Sequence, residues 1–313
     1  MTTLAKHSRS ASAAPASPKP QGSHRRFGDL KIALLFIAPA MIGFIAFYVV
    51  PTIRGIYLSF TEYNILGDPE WIGLDNYTAI AKDPLFWNSL AVTGQYVFLN
   101  ILLQTALALG LALLMHNVAK STIIRGTLLL PYLMSNVIAA LLWFWMLDYQ
   151  IGVVNQFIEW SGLPRVAFFG SEAWAIPTQA LINTWRHMGY TALLIFAGLQ
   201  AIPSHVYEVA KLDGASAFQT FRKITIPLLR PVLVLVLVVT VIGSFQVFDT
   251  VAVTTAGGPV NATRVIQYYI YQRAFTESDF GYGSAIAVIL FLILALVAFI
   301  QMKFLKGNES DLD

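Results

Sequence analysis

Two adjacent ionisable residues, Arg186 and His187, interrupt an otherwise uncharged apolar stretch at 174–202. Charge at that depth of a membrane is costly and marks a solute or ion path unless it escapes to the interface. Arg186 lies about 25 Å along a helix from Pro203. It can therefore snorkel to the far interface beside Trp174 and Trp185, and this reading is favoured over contact with a solute. Ser135 and Asn136 follow Pro131 in a second apolar stretch, and Ser244, Gln246 and Asp249 cluster at the end of a third. Such groups hydrogen-bond neighbouring helices or a polar solute in transit. Trp143, Phe144 and Trp145 offer rings that stack on sugar faces, although a belt at the interface is the simpler use.

Other chemistries lack their residues. No Gly is followed by Lys, so no Walker A loop is present, and neither a G-x-S-x-G elbow nor an H-E-x-x-H helix occurs. His7, His24, His116, His187 and His205 are scattered without ligand spacing, and the chain has 0 cysteines. No Asp or Glu falls inside an apolar stretch, where a proton- or sodium-coupled carrier needs its exchanging carboxylates. If the chain moves a solute, the energy arrives from another chain.

These residues must be held by membrane spans. Of 313 residues 57% are apolar and 12% charged, and the mean hydropathy is +0.64. Six charge-poor stretches, 32–50, 90–115, 126–147, 174–202, 231–248 and 282–302, each suffice to cross about 30 Å of hydrocarbon as a helix. With the N-terminus inside, fourteen of the 20 Lys and Arg residues fall on the inner side, against five (Arg54, Lys82, Arg165, Arg264 and Arg273) outside. Both termini are expected in the cytoplasm. Residues 1–30, rich in Ser, Ala, Pro and basic side chains, read as a disordered, solvated tail. Residues 307–313 form a second cytoplasmic tail, and nothing in the charge pattern calls for nucleic acid.

The inner loop at 203–230 carries the sharpest pattern. It reads as two short helices: Ser204 caps the first, Gly214 supplies the turn between them, and Pro227 stops the second. Val206, Val209 and Ala210, then Phe218, Phe221 and Ile224, give each helix an apolar face. By periodicity alone that face suits lipid or the underside of the spans.

The spacing Glu208-x-Ala210-x3-Gly214-x9-Ile224-x-Ile226-Pro227 resembles the EAA loop of binding-protein-dependent ABC importer permeases. Trp71-Ile-Gly-Leu-Asp-Asn-Tyr77, Asp213-Gly-Ala215, Thr255-Ala-Gly-Gly-Pro259 and Asn261-Ala-Thr263 extend the likeness, in order, to the carbohydrate-class permeases of the maltose and glycerol-phosphate type. Val209 and Ile226 depart from the motif but keep its apolar character.

The resemblance implies an all-α integral membrane protein of type I importer fold, with six transmembrane helices over 31–306 and a cytoplasmic coupling-helix loop between helices 4 and 5. It implies a transport subunit, not an enzyme, of the bacterial inner membrane, moving a di- or oligosaccharide by alternating access. Implied partners are a second homologous permease, a dimeric ABC ATPase and an extracytoplasmic solute-binding protein, lipoprotein or periplasmic. ATP and Mg would be bound by the ATPase, leaving this chain without cofactor or metal. Glu208, Val209, Ala210, Leu212, Asp213, Gly214 and Ala215 would dock on the ATPase, with Glu208 pairing a basic residue there. Because the family's third and fifth spans line the pathway, Asn136, Gln246 and Asp249 are candidate pathway residues, with Arg186 beside them. A glycerol-phosphate-type or other polyol importer stays open, as does an ATP-independent carrier or membrane enzyme.

Overall fold

A computed structural model describes residues 26–117 and 122–305. The tail up to residue 25, the link at 118–121 and the C-terminal segment 306–313 lie outside the described residues. The chain divides into two compact units, Met1–Ile53 and Arg54–Asp313.

The first unit is helical from its first described residue. Helix α1 (Arg26–Phe44) begins five residues before the expected end of the tail, passes through a π-helical turn at Ile45–Val49 and enters α2 (Val50–Leu58). Pro51 explains the wide turn, because its ring has no N–H to offer and would clash with the carbonyl four residues back. Val50 N–H instead reaches the carbonyl of Ile45.

The second unit opens with a two-residue hairpin, β1 (Thr61–Glu62) against β2 (Glu70–Trp71), followed by α3 (Asp75–Lys82). The second span is α4 (Pro84–Asn117), started by a proline at its first position and by Asp83, whose Oδ1 accepts the Leu85 N–H at 2.9 Å. The third span is not the continuous helix expected over 126–147. It is α5 (Thr122–Leu133) and α6 (Asn136–Met146), bent by 92° at 134–135. A short helix α7 (Val153–Trp160) leads to the fourth span, α8 (Glu172–Ala201), which turns by 69° into α9 (Ser204–Leu212).

After α9 come α10 (Ala217–Thr220), a π turn at Phe221–Thr225 and the fifth span α11 (Ile226–Phe245). Pro227 does not stop the second loop helix as expected. It sits in the first turn of α11, where a missing N–H costs nothing, and the π turn before it relieves the ring clash, so the helix runs on into the span. Ser204 does not cap α9 either; Pro203 holds that position. A break at 246–248 separates α11 from α12 (Asp249–Thr254), and α13 (Ile266–Tyr271) precedes the last span α14 (Phe280–Leu305).

With each bent pair taken as one span, the described residues hold six helices or pairs long and apolar enough to cross a membrane, as expected. The bundle centres on α4 and α8, with α5 and α11 against them and α14 against α11. Ala108, Ala112, Ala192, Ile195, Leu199, Leu229 and Val236 fill the core beneath the α9 loop. Small residues allow this packing, since little hydrophobic force drives helices together in lipid and close van der Waals contact must substitute. At Gly189 a Cβ would fall 1.8 Å from the Leu128 carbonyl oxygen, so α8 and α5 touch backbone to side-chain-free backbone there.

Candidate functional site

The break in the third span exposes carbonyls at the end of α5, and Arg186 on α8 takes them. Its Nε and Nη2 donate to the Met134 oxygen at 2.9 and 2.7 Å, and Nη2 also donates to Tyr132 O at 3.1 Å. Its Nη1 lies 2.9 Å from His187 Nε2, and His187 Nδ1 lies 3.0 Å from the Asn183 carbonyl. A carbonyl can only accept, which places the histidine proton on Nδ1 and leaves Nε2 to accept from the arginine. Arg186 is thus held by the end of α5 and by His187. The guanidinium is spent on a broken helix end, a better use of its fork than water.

Behind this joint runs a ladder of side-chain amides and hydroxyls. Asn100, 1% exposed, donates to Ser244 Oγ at 2.8 Å and to Gln104 at 3.2 Å, and accepts from Asn183 at 2.9 Å. Gln104 donates to Thr191 Oγ1 at 2.9 Å, and Ser244 back to Thr240 O at 2.6 Å. Three spans, α4, α8 and α11, are tied at one depth by these bonds.

The ladder forms one wall of a cavity of about 300 Å³. Tyr132 and Tyr190, stacked at 4.5 Å with rings 8° apart, and Phe248 line it with aromatic surface. Asn136, the first residue of α6, and Asp249, the first of α12, line it as well, joined by an Asn136 Nδ2 to Asp249 Oδ2 hydrogen bond of 2.8 Å. Gln246 reaches it from the break in the fifth span. Amides, hydroxyls and ring faces in this arrangement have the chemistry to hydrogen-bond and stack on a polar solute; among the described residues no His, Cys, Asp and Glu group could hold a metal.

Three of the four expected pathway residues, Asn136, Gln246 and Asp249, therefore meet at one cavity, while Arg186 stands outside its lining. Asn100, Gln104, Asn183, Tyr132 and Tyr190 also line it and are not singled out in the sequence. The four-residue spacing of Asn100 and Gln104 in an apolar helix is the signal that finds two of them. Trp143 packs edge-on against Trp185, Phe144 tilts against Phe169, and none of 143–145 lines the cavity.

At the other end of the bundle the α9–α10 loop is locally determined. Gly214, at φ +74°, closes α9: its N–H bonds Lys211 O at 3.1 Å, and Ala215 N–H bonds Ala210 O at 3.0 Å. That is a Schellman ending, which needs a left-handed residue after the cap. Ser216 and Gln219 then form a reciprocal capping box on α10, legible as S-x-x-Q. Glu208, Asp213 and Gly214 are exposed, Leu212 is 87% and Val209 52% exposed, Ala215 is half-buried, and Ala210 is buried against the chain itself.

At the end away from this loop, Asp83 Oδ2 accepts the hydroxyls of Tyr269 and, at 2.7 Å, Tyr282. Burial alone would raise its pKa, but these bonds and the N–H groups of Leu85 and Phe86 hold the carboxyl below the ordinary carboxylate range. Arg273 lies 4.2 Å over the Tyr282 ring and pairs Glu277 and Asp279 at 2.6 and 2.8 Å. The cluster clamps the start of α4 to α13 and α14.

The family model for the inner membrane component of binding-protein-dependent transport systems matches residues 104–307. The chain belongs to that family. The permease is 35% identical over 285 residues to the sulfoquinovosyl glycerol transport system permease protein of Agrobacterium fabrum, covering 90% of this chain and 92% of that one. It is 31% identical over 283 residues to the trehalose/maltose transport system permease protein of Thermococcus litoralis, covering 90% and 96%. Its fold is similar to a chain of a bacterial ABC transporter involved in importing the acidic polysaccharide alginate, with a TM-score of 0.79 at 24% identity over 91% of this chain and 99% of that one. That transporter was also solved with an alginate pentasaccharide-bound periplasmic protein. The permease is thus a multi-pass inner-membrane transport component of type I importer fold.

Proposed function

We propose that this permease carries a di- or oligosaccharide across the bacterial inner membrane as one of two membrane subunits of an ATP-driven importer. The observation that carries the reading is the cavity, where amides, hydroxyls and a stacked tyrosine pair meet at the breaks of two spans. Amide groups both donate and accept, as sugar hydroxyls do, and ring faces suit the apolar faces of pyranoses. The trehalose/maltose transport role of the Thermococcus litoralis relative favours an uncharged glycoside over a simple polyol. Family membership favours an importer over a secondary carrier or membrane enzyme.

In this reading both termini and the α9–α10 loop are cytoplasmic, and the loop docks on a partner ATPase that binds ATP and Mg. Leu212, Val209 and Phe218 offer exposed apolar contacts, Glu208 and Asp213 fix register by charge, and Gly214 and Ala215 set the loop shape. Ala210 serves from within, by seating α9 on the bundle. A solute-binding protein delivers the sugar from outside, and ATP-driven closure of the ATPase switches the cavity from one side to the other.

The test is purification of tagged permease from its native membrane with mass spectrometry of what accompanies it, followed by uptake in vesicles. Recovery of a nucleotide-binding ATPase and a second permease, with ATP-dependent oligosaccharide uptake lost in Gln246→Leu, supports the reading. A chain recovered alone and active without ATP overturns it.

A further inference from the structure

We infer that the cavity admits an uncharged polyhydroxylated solute and turns away acidic sugars, with the Asp249 carboxylate as the discriminating group. The inference rests on the reading of this cavity as the solute site.

The charge on the wall decides the matter. Among the described residues lining the cavity there is one carboxylate, Asp249, and no lysine or arginine. The nearby cation, Arg186, is not in the lining; it gives two N–H bonds to Met134 O, one to Tyr132 O and one to His187 Nε2, leaving one of its five N–H groups for anything else. The geometry of His187 fixes a neutral ring with both nitrogens engaged, so the histidine offers a solute no N–H. Arg186 feels Asp249 electrostatically, but it presents no fork to a solute anion.

What remains is suited to hydroxyls. Asn183 and Gln246 present amide groups to the cavity, whereas those of Asn100 are spent within the ladder, and Thr250, next to Asp249 on the wall, has a buried hydroxyl with no protein partner. A uronate, sulfonate or phosphate brought to this wall meets the like charge of Asp249, with no guanidinium or ammonium in the lining to receive it. A sugar hydroxyl instead gives Asp249 a donor. Asn136, which donates to Oδ2, holds the carboxylate in place for that contact. A phosphorylated polyol faces the same barrier as a uronate.

The experiment uses the permease with its partner subunits in lipid nanodiscs and saturation-transfer NMR with three probes of equal ring number: maltotriose, trigalacturonate and the methyl ester of trigalacturonate. Maltotriose and the ester are expected to show transfer, and the free acid at least about tenfold less. In Asp249→Asn the acid should come within about threefold of the ester. Equal transfer from acid and ester on the wild type overturns the inference without any variant, as does continued exclusion of the acid by Asp249→Asn. Transfer from none of the probes, or transfer untouched by Gln246→Leu, instead overturns the assignment of the cavity as solute site, and the inference falls with it.

Discussion

Asn136 and Asp249 meet across 2.8 Å although 113 residues separate them, and each is the first residue of a helix that starts after a break in a span. The bond therefore joins the third and fifth spans at their two irregular points. Residues in one hydrogen-bonded pair do not act independently. Asn136→Ala and Asp249→Ala should each reduce ATP-driven uptake, and the double variant should lose less than the sum by about 1 kcal/mol of coupling. A double-mutant cycle on uptake rates measures this, and strict additivity would show that the bond carries no weight.

Arg186 closes the end of α5, so its removal leaves the Met134 and Tyr132 carbonyls without their donor. Arg186→Gln should lower the stability of the purified permease by about 1–3 kcal/mol, as for leaving hydrogen-bonded carbonyls without their charged donor. Arg186→Lys should recover only part, because an ammonium cannot reproduce two parallel bonds to Met134 O together with the contact to Tyr132 O. Thermal unfolding in nanodiscs reports both; a lysine variant as stable as the wild type would contradict the role.

At the α8–α5 contact there is no room for a methyl group. Gly189→Ala forces the helices apart and should cost about 1–3 kcal/mol, the usual range for overpacking, despite the better helix propensity of alanine. Unfolding of the variant at the wild-type temperature would show that the backbones separate freely.

Asp83 adds a pH dependence. Its folded-state pKa lies below the unfolded value of about 3.9, so its contribution is fully present above that value and disappears as pH falls through the folded pKa. Asp83→Asn should therefore be less stable than the wild type at neutral pH, and the two should converge in acid below about pH 4. Melting temperatures of both proteins between pH 3 and 7 check the sign.

The loop separates docking from folding. Leu212 is 87% exposed, so Leu212→Ser should leave the stability of the isolated permease within about 0.5 kcal/mol of wild type while reducing recovery of the ATPase. Gly214→Val meets open space but a left-handed backbone, and should damage loop shape and ATPase recovery together. Normal ATPase recovery by Leu212→Ser would remove that residue from the interface.

What the sequence discloses follows the range of the interactions. Long apolar runs and the Pro203, Gly214 and Pro227 punctuation act within a few residues, so six spans and a two-helix loop are legible. The break at 134–135 is not, although Pro131 sits near it. Pro131 lies inside α5, and the bend is held open by Arg186, more than fifty residues away, whose partners no local pattern names. Gln246 and Asp249 stand out as polar groups near a span end, whereas Tyr132 and Tyr190 look like ordinary belt aromatics until two helices stack them. Pro227 misleads for a local reason: a proline that ends a helix in one frame begins one in another.

The run from Ala217 through the π turn into α11 has a mechanical meaning. No break interrupts it before Phe245, so about 40 Å of continuous helix joins the loop to the Ser244 wall of the cavity. Such a rod acts as a lever. A tilt of about 5° imposed at the loop sweeps the cavity end through about 3–4 Å, roughly the width of one hydroxyl contact and enough to part the 2.8 Å bond between Ser244 and Asn100.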